Sequence, residues 1–400
     1  MTCDTLEIAL DYADLSSSKT LTLQLAKITG TEKPNKKSVL LSFGDPGENS
    51  LTDLNNSGAE LEVIFAGHVD LIAFNTVFLE GVGNTLPFSC YNNTAESMNA
   101  PMEATIYTNA SDTAVASAWA AATNYANTCC ARMKNMGDLF GTAFIARDMM
   151  EIVDALEEDG LLHYWSFSYG TVLGATVAAM FPYRMGSVVL DGVLNPYEYC
   201  HGYDNQQLAR TDDILDGFCS SWLEAPKLCP LSTIASSGIP LKEKLYKMLD
   251  SIKYHPIPVG ASLLDYVNVK GMIFNDLYNP VDWPTLSNLL FSVMTRNVTA
   301  LVEFMAAQSA STATSQASIM LGFEKAYHTS RKTGDVNVHI NMECAQWKKW
   351  VKEHYMGDFR VKTHNPVLLI GNTWDPATPS VSAQNVSNAL EESVLLRHNG

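Results

Sequence analysis

The sequence predicts an α/β fold: a mostly parallel sheet with helices on both faces and an inserted helical cap. Three observations carry this. Short apolar runs alternate with helix-patterned segments over residues 1–202, as parallel strands joined by crossover helices do. From 203 to 350 the alternation stops and the chain is mostly helix-like, with Pro-, Gly- and Ser-rich breaks. The strand pattern then resumes in 351–400. The expected organisation is therefore a core over 1–202, a cap over 203–350 and the rest of the core over 351–400.

The elements follow in order. Leu21 to Ile28 alternates apolar and polar, as a half-buried strand does. Ser38 to Phe43 is a short apolar run entering the turn Gly44-Asp45-Pro46-Gly47. Glu62 to Ala66 and Asp70 to Phe74 read as two further strands, the second buried on both faces. Thr113 to Met133 and Ala146 to Glu158 read as helices. Leu161 to Phe167 is a strand that runs into Ser168-Tyr169-Gly170, followed by the helical pattern Thr171 to Phe181. Gly186 to Gly192 is another buried strand. Cap helices are expected at Thr211–Glu224, Leu241–Ile252, Trp283–Met294 and Val298–Ala310. Pro366 to Gly371 returns to strand, Ser380 to Glu391 to helix, and Val394 to Arg397 closes the sheet.

Bulk properties narrow the function. The net charge is -17, which disfavours a nucleic-acid partner, because phosphate binding needs a basic surface. No apolar run reaches the roughly 18–20 residues that span a bilayer. Eight cysteines show no paired C-x-x-C array, so no zinc site is expected. Cys219 and Cys229 flank a short loop with Pro226 and are expected disulfide partners, with Cys90 and either Cys129 or Cys130 as a second pair; buried free thiols are the alternative. Asn55, Asn92, Asn109, Asn297 and Asn385 each begin an N-x-S/T sequon. Together with the cysteines they favour a secretory history. The first residues, Met1 to Glu7, have neither a basic start nor an apolar stretch of signal-peptide type. A cytoplasmic location is the expectation if the chain is complete.

The chemistry centres on Ser168. Strand, sharp turn with a central serine, then helix is the context that gives a G-x-S-x-G-like motif its meaning as the nucleophile elbow of an α/β hydrolase. Here the motif reads S-x-S-x-G, with Ser166 in the first glycine position. A serine hydroxyl needs a base for its proton, an acid to orient the base, and donors for the oxyanion. Asp375, in the loop beyond the Pro366–Gly371 strand, is the candidate acid, and the order Ser then Asp fits this fold. The oxyanion donors would be the N–H of Tyr169 and of Gly44 or Asp45, since Pro46 has none to give. No histidine pair has metal-binding spacing, and no G-x-G-x-x-G or Walker loop occurs, so no metal and no cofactor are expected. Glu303 and Glu324 are cap acids that could meet a substrate amine, or simply line an exposed helix face.

The chain resembles the fungal secreted relatives of tripeptidyl aminopeptidase and proline iminopeptidase. The likeness rests on Leu10-Asp11-Tyr12, Phe43 to Gly47, Phe167 to Thr171, Phe181 to Arg184, Leu190 to Val193 and Asn372 to Pro379. It implies an α/β-hydrolase fold with a helical cap, a serine exopeptidase that removes short pieces from peptide N-termini, and a peptide, ester or amide substrate. There are departures. Gly44-Asp45-Pro46-Gly47 stands where the family has G-G-P-G. Asn75 to Asn84 lacks the family's arginine. The family's histidine lies in a G-H-C segment a few residues beyond the last strand; this sequence reaches His398-Asn399-Gly400 at that point, and by the family pattern His398 falls on the strand, short of the loop. The departures keep two alternatives open: a catalytically impaired hydrolase fold that binds a ligand or partner, and an esterase or other small-molecule hydrolase.

Overall fold

The computed structural model describes residues 1–33, 37–44, 49–75, 90–91, 96, 107–134, 136–202, 205–311, 342, 345–348 and 350–399. Asp45, Thr76 to Asn84, Asn92, Glu324 and Cys344 lie outside them.

The core is an eight-stranded sheet. Its strands are β1 (Thr2–Ala9), β2 (Thr20–Ile28), β3 (Ser38–Ser42), β4 (Asp70–Phe74), β5 (Leu162–Phe167) and β6 (Met185–Asp191). Further along the chain come a cap hairpin of β7 (Ile257–Val259) and β8 (Ser262–Leu264), a short pair of β9 (Val361–Lys362) with β11 (Leu390–Glu391), and the last two sheet strands, β10 (Val367–Asn372) and β12 (Val394–His398). The order is β1-β2-β4-β3-β5-β6-β10-β12. Only β2 runs antiparallel to its neighbours; every pairing from β4 to β12 is parallel.

The helices flanking the sheet are α1 (Ser50–Ile64), α2 (Ala114–Arg132), α3 (Thr142–Ala155), α4 (Tyr169–Met180) and α5 (Pro196–His201). Strand alternation divides the core between the two faces. Val39, Leu41, Leu71 and Ala73 pack with Leu54 and Leu61 of α1, while Leu40, Phe74 and Tyr164 join Ile145, Met149 and Leu173 of α3 and α4. Between β6 and β10 lie α6 (Thr211–Ser221), α7 (Gly238–Tyr254), α8 (Tyr266–Leu277), α9 (Trp283–Thr295) and α10 (Val298–Ser311). They have their own apolar core. Leu241, Leu245, Leu249 and Ile252 form one stripe of α7 against Ile214 and Phe218 of α6, Ile273 of α8 and Leu289 of α9. The last helix, α11 (Ser380–Ala389), returns to the sheet.

Two expectations are corrected, and the open choice of partner for Cys90 falls on Cys129. Glu62 to Ala66 is not a strand: it is the end of α1 and the turn after it, and Val63 and Ile64 face solvent at 80% and 62% exposure. A buried strand cannot leave two adjacent apolar residues in water. Cys219 and Cys229 are both buried free thiols, and the Cys229 sulfur faces the Ser287 hydroxyl at 3.7 Å. Cys90 bonds to Cys129 rather than Cys130. Ala118, Ala122, Tyr125 and Cys129 share the buried stripe of α2, from which Cys130 is turned by one residue. Among the described residues, no helix is long and apolar enough to cross a membrane.

Candidate active site

The order β4-β3-β5-β6 places a reversal of winding between β3 and β5. In an open α/β sheet the crevice at such a point, outside the carboxyl ends of the strands, is the natural ligand site. Gly44 follows β3 and Ser168 follows β5, so both stand at this crevice.

Ser168 is the single residue between β5 and α4, with φ 51° and ψ -122°. Such a backbone costs about 1–3 kcal/mol in a non-glycine residue and persists only where its surroundings impose it. They do. The Ser168 N–H donates to the Asp191 carbonyl at 3.3 Å, and the Thr171 N–H donates to the Ser168 carbonyl at 2.9 Å. The buried Thr171 hydroxyl donates to that same carbonyl at 2.6 Å and accepts from the Leu194 N–H at 3.1 Å. Gly170 is required: a Cβ there would stand 2.7 Å from Ser42 Oγ and 2.9 Å from Ser166 Cβ. Ser166 itself is fully buried, so the elbow accommodates the extra hydroxymethyl.

Asp375 sits in the loop between β10 and α11. One carboxylate oxygen accepts from the Ala377 and Thr378 amides at 2.9 and 2.6 Å, and the other accepts from the Thr378 hydroxyl at 2.9 Å. The carboxylate is thus fixed by its own turn. Gly192 links it to the elbow. A Cβ on Gly192, whose φ is +63°, would lie 3.1 Å from Thr378 Oγ1 and 3.9 Å from the Ser168 nitrogen. Ser168, Gly192, Thr378 and Asp375 therefore form one contiguous group. Neighbouring Asp191 has its carboxyl pushed above the ordinary range by burial, with the Asp375 charge adding to the effect.

Gly44 touches the serine: with φ +127°, a Cβ there would be 3.2 Å from Ser168 Cβ and 3.8 Å from its Oγ. Tyr169 is the first residue of α4, so its amide lies at the positive end of the helix dipole. Its ring is buried against Tyr199, with its hydroxyl 3.0 Å from that of Thr142. His398 ends β12 in register with Asn372, and its carbonyl accepts from the Thr373 N–H at 2.9 Å. Its side chain is exposed. Among the described residues no histidine ring bonds to Ser168 or Asp375, and no His, Cys, Asp and Glu group has the arrangement of a metal site. Glu303 is exposed.

Two supports were not visible in the sequence. Thr171 and Gly192 act through contacts with residues distant in the chain, and only the glycine in Leu190-Asp191-Gly192 hinted at a special backbone.

This sheet order, with an elbow serine after β5, is the fold of the α/β hydrolases. The family profile described as TAP-like protein matches residues 330–400. The chain is 30% identical over 199 residues to the tripeptidyl aminopeptidase of Streptomyces lividans, covering 48% of this chain and 35% of that protein. It is 28% identical over 195 residues to the serine protease Hip1 of Mycobacterium bovis, covering 48% and 36%. The matched stretch is thus about a third of the length of these relatives. Among solved structures, Rv0554 from Mycobacterium tuberculosis aligns over 98% of this chain and 89% of its own, at 13% identity and a TM-score of 0.41.

Proposed function

We propose that the chain is a serine hydrolase that cleaves short pieces from peptide N-termini through an acyl-enzyme. The observation that carries this is the strained backbone of Ser168, held at the carboxyl end of β5 and linked to Asp375 through Gly192 and Thr378. The relatives named tripeptidyl aminopeptidase and serine protease support the peptide substrate.

In this reading the Ser168 oxygen attacks the scissile carbonyl while a histidine takes its proton. Asp375 orients that histidine, and the Tyr169 and Gly44 amides receive the developing oxyanion. The histidine then gives the proton to the leaving amine. Water repeats the sequence on the acyl-enzyme, releasing the short peptide and restoring Ser168. The resemblance puts the histidine in a loop following the last strand, and His398 ends β12.

The test is a panel of chromogenic substrates: a tripeptidyl amide with a free amine, its N-acetylated form, an aminoacyl amide and a short acyl ester. The expected order puts the free tripeptidyl amide first, with acetylation lowering kcat/KM at least about tenfold. Equal turnover of acetylated and free peptides contradicts an exopeptidase, and turnover of the ester alone makes the chain an esterase.

A binding module without catalysis is the second reading. It is favoured by the absence, among the described residues, of a histidine ring on Asp375. No turnover of any substrate in the panel selects it.

We also propose a secretory history. Four described sequon asparagines, Asn55, Asn109, Asn297 and Asn385, are exposed. The Asn109 amide nitrogen is engaged with the Tyr266 hydroxyl at 3.4 Å, so Asn297, in the short turn between α9 and α10, is the better glycan acceptor. Loss of mass on treating the natively produced protein with an endoglycosidase is the expected result; unchanged mass contradicts it.

A further inference from the structure

The first cap helix is bonded to the loop that carries Asp375. Thr211 opens α6 and is fully buried. Its hydroxyl donates to the carbonyl of Pro376 at 2.8 Å and lies 3.3 Å from that of Leu208. Pro376 sits between Asp375 and Ala377, and the Ala377 amide is one of the donors that fix the carboxylate. The proline ring fixes φ at 376. A bond to its carbonyl therefore sets the peptide plane from which the Ala377 amide reaches Asp375.

A second tie lies five residues earlier. Gln206 Oε1 accepts from Ser382 Oγ at 3.3 Å and from Asn195 Nδ2 at 3.2 Å, while the Gln206 N–H donates to Glu198 at 2.9 Å. Ser382 is in the first turn of α11, directly after the acid loop, and Asn195 caps α5 beyond β6. Between the two ties Leu208, 1% exposed, is rooted in the apolar core of the cap. Residues 205–211 thus form a strap with its middle in the cap and its bonded ends on the elements that present Asp375. A loosely attached cap would need none of these buried and half-buried polar bonds. Each carries a desolvation cost that only a formed bond offsets.

We propose that Thr211 is a positioning residue: its hydroxyl couples the seating of the cap to the orientation of Asp375. The proposal rests on the reading of Asp375 as the acid of a serine hydrolase. With α6 seated, the Pro376 carbonyl is held and both Asp375 oxygens keep their donors. When α6 shifts, that bond breaks and the turn relaxes, so the acid is aligned only under a seated cap.

The test compares the intact protein with Thr211→Val, which keeps the shape and removes the hydroxyl, and Thr211→Ser, which restores it. Hydrogen exchange read on the peptide spanning 371–380 needs no turnover. In Thr211→Val the Ala377 and Thr378 amides should exchange about tenfold faster, the equivalent of one lost neutral hydrogen bond, with α7 and α9 unchanged. Thr211→Ser should return them to the parent rate. Gln206→Ala cuts the other tie from a half-buried position and should speed exchange only at 380–383. On a substrate that is turned over, Thr211→Val should lower kcat about tenfold at near-constant KM. It should also move the acid limb of the kcat/KM profile to lower pH, because a base that loses its carboxylate partner is less basic. Unchanged exchange in the acid loop of Thr211→Val overturns the proposal. So does faster exchange spread evenly over the cap, or failure of Thr211→Ser to restore the loop. An inactive parent protein with the predicted exchange pattern removes the hydrolase reading and leaves the coupling standing.

Discussion

At Ser168 a non-glycine residue holds φ 51° because four hydrogen bonds and one missing side chain leave it no alternative. Gly170→Ala is the sharpest probe of that arrangement. The new methyl would meet Ser42 and Ser166 inside 3 Å, so thermal unfolding should show a loss of about 1–3 kcal/mol, as overpacking of a tight site does. The serine was legible in the sequence because strand, turn and helix are consecutive. The Gly192–Thr378 bridge and the Thr211 bond were not, since each joins residues far apart in the chain. A second residue invisible to the motif reading is Asp148 on α3. Its buried carboxyl accepts from the Tyr12 hydroxyl at 2.7 Å and is pushed up to about 7, chiefly by burial, with Glu151 adding to the rise. Arg147, beside it on α3, is paired with Glu353 and so is not committed to Asp148. A folded-state value above the unfolded one means that stability is full below pH about 4 and falls as pH rises to about 7. The total is about 4 kcal/mol. Asp148→Asn should flatten that slope in unfolding measured from pH 4 to 8 and raise the Tm at pH 8; an unchanged slope contradicts the assignment.

Elements were legible where the hydrophobic period was unambiguous. The strands Ser38–Ser42, Asp70–Phe74 and Val367–Asn372 and the cap helices α6, α7, α9 and α10 fall where the apolar pattern puts them. Glu62 to Ala66 misled because five residues with four apolar ones fit either period, and only the contacts of the whole of α1 decide it. Strand β1 gave little sign, as its residues are mostly exposed and it is held by pairing with β2 along its full length. Helix α8 begins with a capping box, in which Asp265 and Asn268 bond reciprocally. The start of α1 can be tested directly. Asn49 accepts from the Leu51 and Thr52 amides at 3.2 Å, so Asn49→Ala should cost about 1 kcal/mol in urea unfolding. No loss would mean that packing alone fixes where the helix begins.

At the scale of the molecule, two apolar cores are joined where the chemistry is expected to occur. The sheet core and the cap core each bury their own helices, and the strap 205–211 bonds the cap to the elements around Asp375. The alternation of strands and helices made this architecture readable, while the pairing of distant cysteines had to await the positions of α2 and its neighbours. Cys90 and Cys129 close a span of 39 residues, so replacing both by serine should lower stability by about 4 kcal/mol on a chain-entropy account. An unchanged denaturant midpoint contradicts it.

The central claim, that Ser168 is an activated nucleophile, is tested most directly by a fluorophosphonate probe followed by peptide mapping. The account predicts one adduct, on the Ser168 oxygen, absent in Ser168→Ala and formed at least about tenfold more slowly in Asp375→Asn. An adduct that survives Ser168→Ala, or no adduct on the parent protein, would contradict it.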